Sequence, residues 1–335
     1  MRTLRRLLGF GMVATALGLI GFFGWLYYFA NAPLRLPSDP YPITLKHGTS
    51  LRGVAQQLTE AGILRDPWSF VVLVRLHGKA RSVQAGSYQL SGGTTPLKLY
   101  QMITRGDFTQ YYVRLIDGWN FRQVRQALDR NSALKHETLG MNDAQIRARL
   151  NIPEPSIEGL LLPDTYNFVA GTSDFEIIQR AYAAMQARLE EAWPKRSANL
   201  PFTTPYQALI VASIVEKETA DPDERARIAA VFINRLRANM RLQTDPTVIY
   251  GLGERFNGNL RRTDLLADTP YNTYTREGLP PTPIAMPGVE AIKATLNPAQ
   301  SNDLYFVSRG DGTHHFSASL EEHNLAVQRF QKTRN

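Results

Sequence analysis

The sequence predicts an α+β protein behind a single N-terminal transmembrane helix. Three observations carry this. The run from Leu7 to Leu34 contains no charged residue. A short strand–turn–helix pattern beginning at Ile43 recurs at Val113. Beyond residue 151, long helical patterns alternate with polar loops and end in a hairpin pattern, which is the mark of a larger mixed α/β domain. Four segments follow: residues 1–34 as cytoplasmic tip and anchor, 35–42 as a Pro-rich linker, 43–150 as small repeated α+β subdomains, and 151–335 as the main domain.

The uncharged stretch comes first. At ~1.5 Å per residue it exceeds the ~30 Å hydrocarbon core of a bilayer. Arg2, Arg5 and Arg6 precede it, which places the N-terminus on the cytoplasmic side. Phe22, Phe23, Trp25, Tyr27, Tyr28 and Phe29 crowd its far end, where aromatic rings favour the membrane interface. Ala30-Asn31-Ala32 also fits a signal-peptide cleavage site. The length of the apolar run and Pro33 directly after such a cut argue instead for an uncleaved anchor with the remaining chain outside. Pro33, Pro37, Pro40 and Pro42 predict a short stiff linker off the membrane.

Composition narrows the function classes. The chain has 335 residues and a formal net charge of +8. Three of the positive charges lie in the first six positions, so the remainder is only mildly basic. This balance suits an anionic polymer or membrane surface. No zinc-finger spacing, RNP-like aromatic run or Lys/Arg block is present, so no nucleic-acid partner is expected. The absence of cysteine excludes disulfides, thiolate metal sites and cysteine nucleophiles. No P-loop, GxGxxG, HExxH or GxSxG motif occurs, and no cofactor is expected.

Between Ile43 and Leu58, and again between Val113 and Leu128, the chain reads as an alternating strand, a turn at Gly48 or Gly118, an N-cap at Ser50 or Asn120, and an amphipathic helix. Leu45/Leu115, Arg52/Arg122, Val54/Val124, Gln56/Gln126 and Leu58/Leu128 are identical pairs. The unit resembles the LysM module, which binds N-acetylglucosamine polymers; a plain packing subdomain explains the same pattern. Trp68–Leu76 and Pro96–Ile103 read as helices, Gly86–Leu90 as a strand, and 143–150 as a further helical stretch.

Pro153, Pro155 and Gly159 mark the next boundary. Glu158 then opens Glu-Gly-Leu-Leu-Leu-Pro-Asp-Thr-Tyr166, read either as a cleft-lining loop or as a linker strand closed by a Pro-Asp turn. Residues 174–193 predict a long helix.

The helix expected from Pro205 to Thr219 is mostly apolar and carries two acids near its end, Glu216 and Glu218. Residues three and four apart share a helix face. Glu218 therefore stands above Ile214 and Val215, whereas Glu216, about 200° away, is expected to face water or a salt bridge. Apolar neighbours disfavour the carboxylate form and raise the pKa, as a general acid requires. Glu218 reads either as that acid or as an ordinary glutamate of a last helical turn. A helix over 224–239 follows, with Asn234 as a buried amide or site residue. Gln243, Thr244, Asp245 and Thr247 then form a polar loop suited to sugar hydroxyls. Asp245 is the nearby carboxylate that a hydrolase would need as a second catalytic group, and equally a turn former before Pro246. Tyr271, Asn272 and Tyr274 bring further aromatic and amide groups, followed by an irregular Pro-rich stretch from 278 to 288. A helix over 287–296, a hairpin over 303–316 and a final helix over 320–331 complete the pattern. His314, His315 and His323 do not predict a metal site: the first two alternate across a strand and no acid has fitting spacing.

The chain resembles the MltG/YceG-like family of endolytic murein transglycosylases. The motifs that carry the resemblance are Glu158–Tyr166, Ala212-Ser-Ile-Val-Glu-Lys-Glu-Thr219, Val231-Phe-Ile-Asn-Arg-Leu236, Met240-Arg-Leu-Gln-Thr-Asp-Pro-Thr-Val-Ile-Tyr-Gly251, Tyr271-Asn-Thr-Tyr274 and Gly278-Leu-Pro-Pro281. The resemblance implies a YceG-like catalytic domain over 151–335 and an inner-membrane enzyme whose bulk is periplasmic. It implies cleavage of nascent peptidoglycan strands at the bond from N-acetylmuramic acid to N-acetylglucosamine, with Glu218 as catalyst. Glu218 would protonate the leaving oxygen and then serve as base for closure of a 1,6-anhydro ring. Gln243, Asp245, Thr247, Tyr271, Asn272, Glu158 and Asn234 become substrate-binding candidates. Peptidoglycan strands, the membrane and peptidoglycan synthases are the implied partners. A two-carboxylate muramidase using Glu218 and Asp245, and a glycan-binding scaffold without activity, are the competing readings.

Overall fold

The computed structural model describes residues 2–46, 48–78 and 83–331; His47 and the side chains of residues 2–9, Arg2, Arg5 and Arg6 among them, lie outside the described residues. Contacts divide the chain into two units. One holds the residues up to Tyr111 with Phe168–Ala170, and the other holds Tyr112–Asn167 and the residues from Gly171 onward.

The first unit begins with helix α1 (Arg2–Asn31). Its segment Phe10–Asn31 is long and apolar enough to cross a membrane. Strand β1 (Tyr41–Leu45), helices α2 (Leu51–Glu60) and α3 (Pro67–Leu76), strand β2 (Gly86–Leu90) and helix α4 (Pro96–Arg105) follow. β1 and β2 pair antiparallel, with Ile43 opposite Tyr88. Gly48 turns the chain at φ +79, a left-handed conformation cheap only for glycine. The Ser50 hydroxyl accepts from Gly53 N and starts α2. Leu51, Val54, Ala55 and Leu58 are buried as their spacing requires. They join Phe70, Tyr88, Leu99 and Ile103 in one core.

The last turns of α1 belong to this core as well, since Leu26 and Ala30 are buried in it. Trp25 stacks on Trp68 with ring centroids 6.0 Å apart. The Pro-rich stretch is tied to the same unit: Leu34 N donates to Thr94 O at 2.8 Å, and Gly92 N donates to Asp39 Oδ1 at 3.1 Å.

Strand β3 (Gln110–Arg114) and strand β4 (Thr165–Val169) form a second two-stranded sheet. Gly118 repeats the left-handed turn at φ +75. Helix α5 (Phe121–Asp129) starts from a capping box made by Asn120 and Gln123. Helices α6 (Asp143–Arg149) and α7 (Asp174–Ala192) lead to α8 (Pro205–Glu218), the central helix of the second unit. α8 packs against α9 (Pro222–Arg237) and α12 (Val289–Leu296). The intervening helices α10 (Asp245–Leu252) and α11 (Arg262–Leu266) differ from the polar loop expected there. Asp245 and Pro246 occupy the first turn of α10, where an acid meets the helix dipole and a proline loses no hydrogen bond. Strands β5 (Tyr305–Ser308) and β6 (His314–Ser317) pair as the expected hairpin, with Phe306 opposite Phe316, and α13 (Leu320–Phe330) packs on them.

Candidate active site

The site lies in the second unit and begins with α8. Pro205 in its first turn and a capping box between Thr204 and Gln207 start the helix. Every residue from Ala208 to Val215 is buried, so α8 is apolar on all sides and fixed by its neighbours. Glu218 is its last residue, and Thr219 leaves in an extended conformation. The Glu218 carboxyl is thereby held at the wall of the core.

Burial pushes the Glu218 pKa up from its ordinary value. The nearby Asp245 charge adds to this, while the Thr244 hydroxyl and His314 act in the opposite direction. Thr244 Oγ1 donates a short hydrogen bond to Glu218 Oε1. Among the described residues no donor meets Oε2, which leaves one carboxyl oxygen committed and one available.

A braced segment presents Thr244. Gln243 has a left-handed backbone, φ +51. Its N–H donates to Thr273 O at 3.1 Å, and Thr244 N donates to Thr273 Oγ1 at 3.1 Å. Thr247 Oγ1 donates to Thr244 O at 2.7 Å and lies 2.8 Å from Thr273 Oγ1. Tyr274 OH donates to Asp245 Oδ1 at 2.5 Å. From α9, Arg235 Nη1 donates to Leu242 O at 2.9 Å and to Gln243 Oε1 at 3.2 Å. On the far side Glu224 holds His314 twice: it accepts from the His314 N–H at 2.8 Å and meets its ring Nδ1 at 2.7 Å. Glu218, Arg235, Gln243, Thr244, Asp245, Tyr274 and His314 share a cavity of about 570 Å³. A half-buried acid with one free oxygen, beside hydroxyls, an amide and aromatic faces, can protonate a glycosidic oxygen while gripping the sugar.

Of the residues singled out in the sequence, Glu218, Gln243 and Asp245 meet at this cavity. Thr244 and Tyr274 line it as well, whereas Thr247, Tyr271, Asn272, Glu158 and Asn234 do not. Thr247 is fully buried and braces the Thr244 segment. Asn272 is buried and donates to Asp264 O, Leu265 O and Ala267 O, while its Oδ1 accepts from Tyr274 N at 2.9 Å. It shapes the loop that carries Tyr274. Asn234 donates to Ser301 O at 2.7 Å and Asp303 O at 3.1 Å. Tyr271 OH lies 2.9 Å from Thr282 Oγ1, and its ring packs edge-on against Tyr250. Glu158 is buried, accepts from Phe121 N and Tyr250 OH, and its pKa is pushed up to about 7 by burial. Glu158 thus joins α5 to α10 inside the unit.

Glu216 differs from its expectation. It accepts from Gly288 N at 3.0 Å and is half-buried, with its pKa raised mainly by that burial. The reason is the start of α12, whose first N–H groups need an acceptor and whose N-cap Gly288 has no side chain to offer one. Glu216 lines a separate cavity of about 330 Å³.

Sequence reasoning placed Thr244 in a sugar-facing loop and Tyr274 among aromatic groups for sugar, but gave Arg235 no role and weighed His314 only as a metal ligand. Arg235 had a readable signal, being a charged residue on the face of α9 that buries Ile228, Val231 and Phe232. The pairing of His314 with Glu224, 90 positions earlier, had none. Asp129, His136 and Asp174 are the described residues with metal-like spacing. The Asp174 carboxylate already accepts from Glu137 N, Thr138 N, Thr138 Oγ1 and Phe175 N, which marks it as an anchor for the start of α7.

The model of the YceG-like family matches residues 43–329. An endolytic murein transglycosylase of Bacillus subtilis is 30% identical over 311 residues, covering 88% of this chain and 85% of that protein. An endolytic murein transglycosylase of Streptococcus pneumoniae is 25% identical over 350 residues, covering 92% of this chain and 62% of that longer protein. Among solved structures, a YceG-like protein of Listeria monocytogenes aligns with a TM-score of 0.52 at 28% identity, over 86% of this chain and 100% of the other.

Proposed function

This chain belongs to the YceG-like family, and we propose that it is a membrane-anchored endolytic lytic transglycosylase of peptidoglycan with Glu218 as its single general acid and base. The observation that carries the reading is the Glu218 carboxyl itself: half-buried at the end of an apolar helix, raised in pKa, held through one oxygen by Thr244 and open to the cavity through the other.

The reaction follows from that geometry. Glu218 in its protonated form, which its burial favours, gives its proton to the oxygen leaving the N-acetylmuramic acid unit, and the glycosidic bond breaks. Positive charge develops on the sugar ring. Asp245, kept in place by Tyr274 OH, supplies negative charge in the same cavity. The Glu218 carboxylate then takes the proton from the C6 hydroxyl of that sugar as its oxygen closes the 1,6-anhydro ring. Because the nucleophile is part of the substrate, its effective concentration is high and no activated water is required. One acid that returns to its starting state suffices.

Phe10–Asn31 anchors the chain to the cytoplasmic membrane in this reading, with Arg2, Arg5 and Arg6 inside and both units in the periplasm. Such a place gives access to strands newly made by peptidoglycan synthases, the partners the location implies. The strand–turn–helix elements of 43–150 serve as a LysM-like contact with glycan; loss of peptidoglycan pull-down in a chain with that surface altered would be the expected sign.

Mass spectrometry of digested peptidoglycan tests the whole. Wild-type protein should leave 1,6-anhydro ends, and Glu218→Gln should lose at least ~10³-fold in rate. The presence of Asp245 in the Glu218 cavity favours one second reading, a two-carboxylate muramidase. Reducing ends in place of anhydro ends would establish that reading and sink the first.

A further inference from the structure

The cavity that holds Glu218 also holds one fixed cation. Arg235 is 8% exposed and is the only Arg or Lys among the described residues lining it. Its Nε donates to Leu304 O at 2.6 Å, and its Nη1 to Arg241 O, Leu242 O and Gln243 Oε1. All four acceptors are neutral. No carboxylate pairs with it, and no acceptor meets Nη2 among the described residues. The guanidinium lies 5.1 Å over the ring of Tyr305, which in turn stacks on His323 at 5.2 Å. Both rings line the same cavity. The cavity's two acids, Glu218 and Asp245, are already engaged by Thr244 and Tyr274.

A desolvated guanidinium without a counter-ion is costly in a folded protein, and it binds an arriving anion strongly because that anion repays the lost solvation. The neutral hydrogen bonds on Nε and Nη1 fix the plane of the group. They leave its charge uncancelled. A neutral glycan would have no use for such a charge, since its hydroxyl and acetamide oxygens need only neutral donors. A murein strand differs from a neutral glycan by its carboxylates.

We propose that Arg235 forms a carboxylate subsite beside Glu218, which takes the carboxylate borne on the muramoyl side arm of the substrate. The proposal rests on the peptidoglycan reading above and adds the feature by which the cavity tells murein from a neutral N-acetylglucosamine polymer. The carboxylate has two sources: the lactyl group of a peptide-free muramoyl unit, or the attached peptide.

Dissociation constants of the full chain in detergent, measured by calorimetry, test it. N-acetylglucosamine is the neutral probe. N-acetylmuramic acid carries the lactyl carboxylate, and a muramoyl dipeptide carries its carboxylate on the peptide alone. At least one acidic probe should bind ten-fold or more tighter than the neutral one, and which of them does so identifies the source. Its methyl ester should lose the advantage on the unaltered protein. Arg235→Gln should abolish the advantage, and Arg235→Lys should retain part of it. The proposal is overturned if acidic probes bind no tighter than the neutral one, or do not bind measurably at all. It is equally overturned if the ester binds as well as the acid, or if the preference survives in Arg235→Gln. Product analysis separates this from the enzyme reading. Anhydro ends without an acid preference remove only the subsite, whereas an acid preference without anhydro ends removes only the transglycosylase.

Discussion

At Glu218 two neighbours pull the proton affinity in opposite directions, which makes the site testable by sign. In the proposed reaction the first step needs Glu218 protonated, so activity should be present below its pKa in the folded protein and be lost as pH rises through that value. Asp245 raises that pKa and the Thr244 hydroxyl lowers it. The alkaline limb of the pH–rate profile should therefore move down in Asp245→Asn and up in Thr244→Val; movement in the same direction would refute this account of the cavity. Glu158 offers a separate test on stability. Its folded pKa of about 7 exceeds the ordinary value of 4.5, so the folded chain binds more protons than the unfolded chain between these values. Stability should fall by roughly 3 kcal/mol as pH rises from 4.5 to 7, and urea unfolding of Glu158→Gln should show a flatter dependence. The apolar setting that raises the Glu218 pKa was legible in the sequence because helical spacing places Ile214 and Val215 beneath it. Glu158 was legible as a polar group in an apolar run, but its direction was not, because Phe121 and Tyr250 reach it from far along the chain.

Elements were read more easily than their connections. Helices α2, α5, α7, α8 and α9 and the β5–β6 hairpin follow from caps and apolar periodicity, both local features. α10 was hidden because Asp-Pro signals a turn and a first helical turn equally well. The segment from Thr269 to Arg276 has no regular structure to reveal it. Its shape comes from the Asn272 side chain, which donates to three carbonyls in and after α11. Asn272→Ala would strand those buried groups and should cost about 2 kcal/mol, read from the midpoint of denaturant unfolding. Because Asn272 also holds Tyr274 N, kcat should fall in the same variant through loss of the Tyr274 bond to Asp245. A variant that unfolds earlier but keeps full kcat would show that the loop does not steer the cavity.

For the chain as a whole, the two repeats illustrate where pattern stops informing. Their strands, glycine turns, caps and helices match, yet β1 finds its partner in β2 and β3 in β4, and the two repeats fall into different units. Strand pairing is a long-range choice that local identity does not encode. The anchor carries a similar lesson. A fragment starting at residue 36 removes Leu26 and Ala30 from the core of the first unit. It should lose about 2 kcal/mol from Leu26 alone, whereas a fragment starting at Gly21 should keep the parent melting temperature of that unit; equal melting of both fragments would contradict the packing. Trp25 on Trp68, and Leu26 and Ala30 in the core, also leave no swivel between α1 and the first unit. In the proposed membrane-spanning arrangement, any tilt that the part of α1 outside this core adopts to match the bilayer thickness is passed to the first unit, which has no joint to absorb the angle. Membrane thickness becomes a setting for the attitude of that unit above the lipid surface.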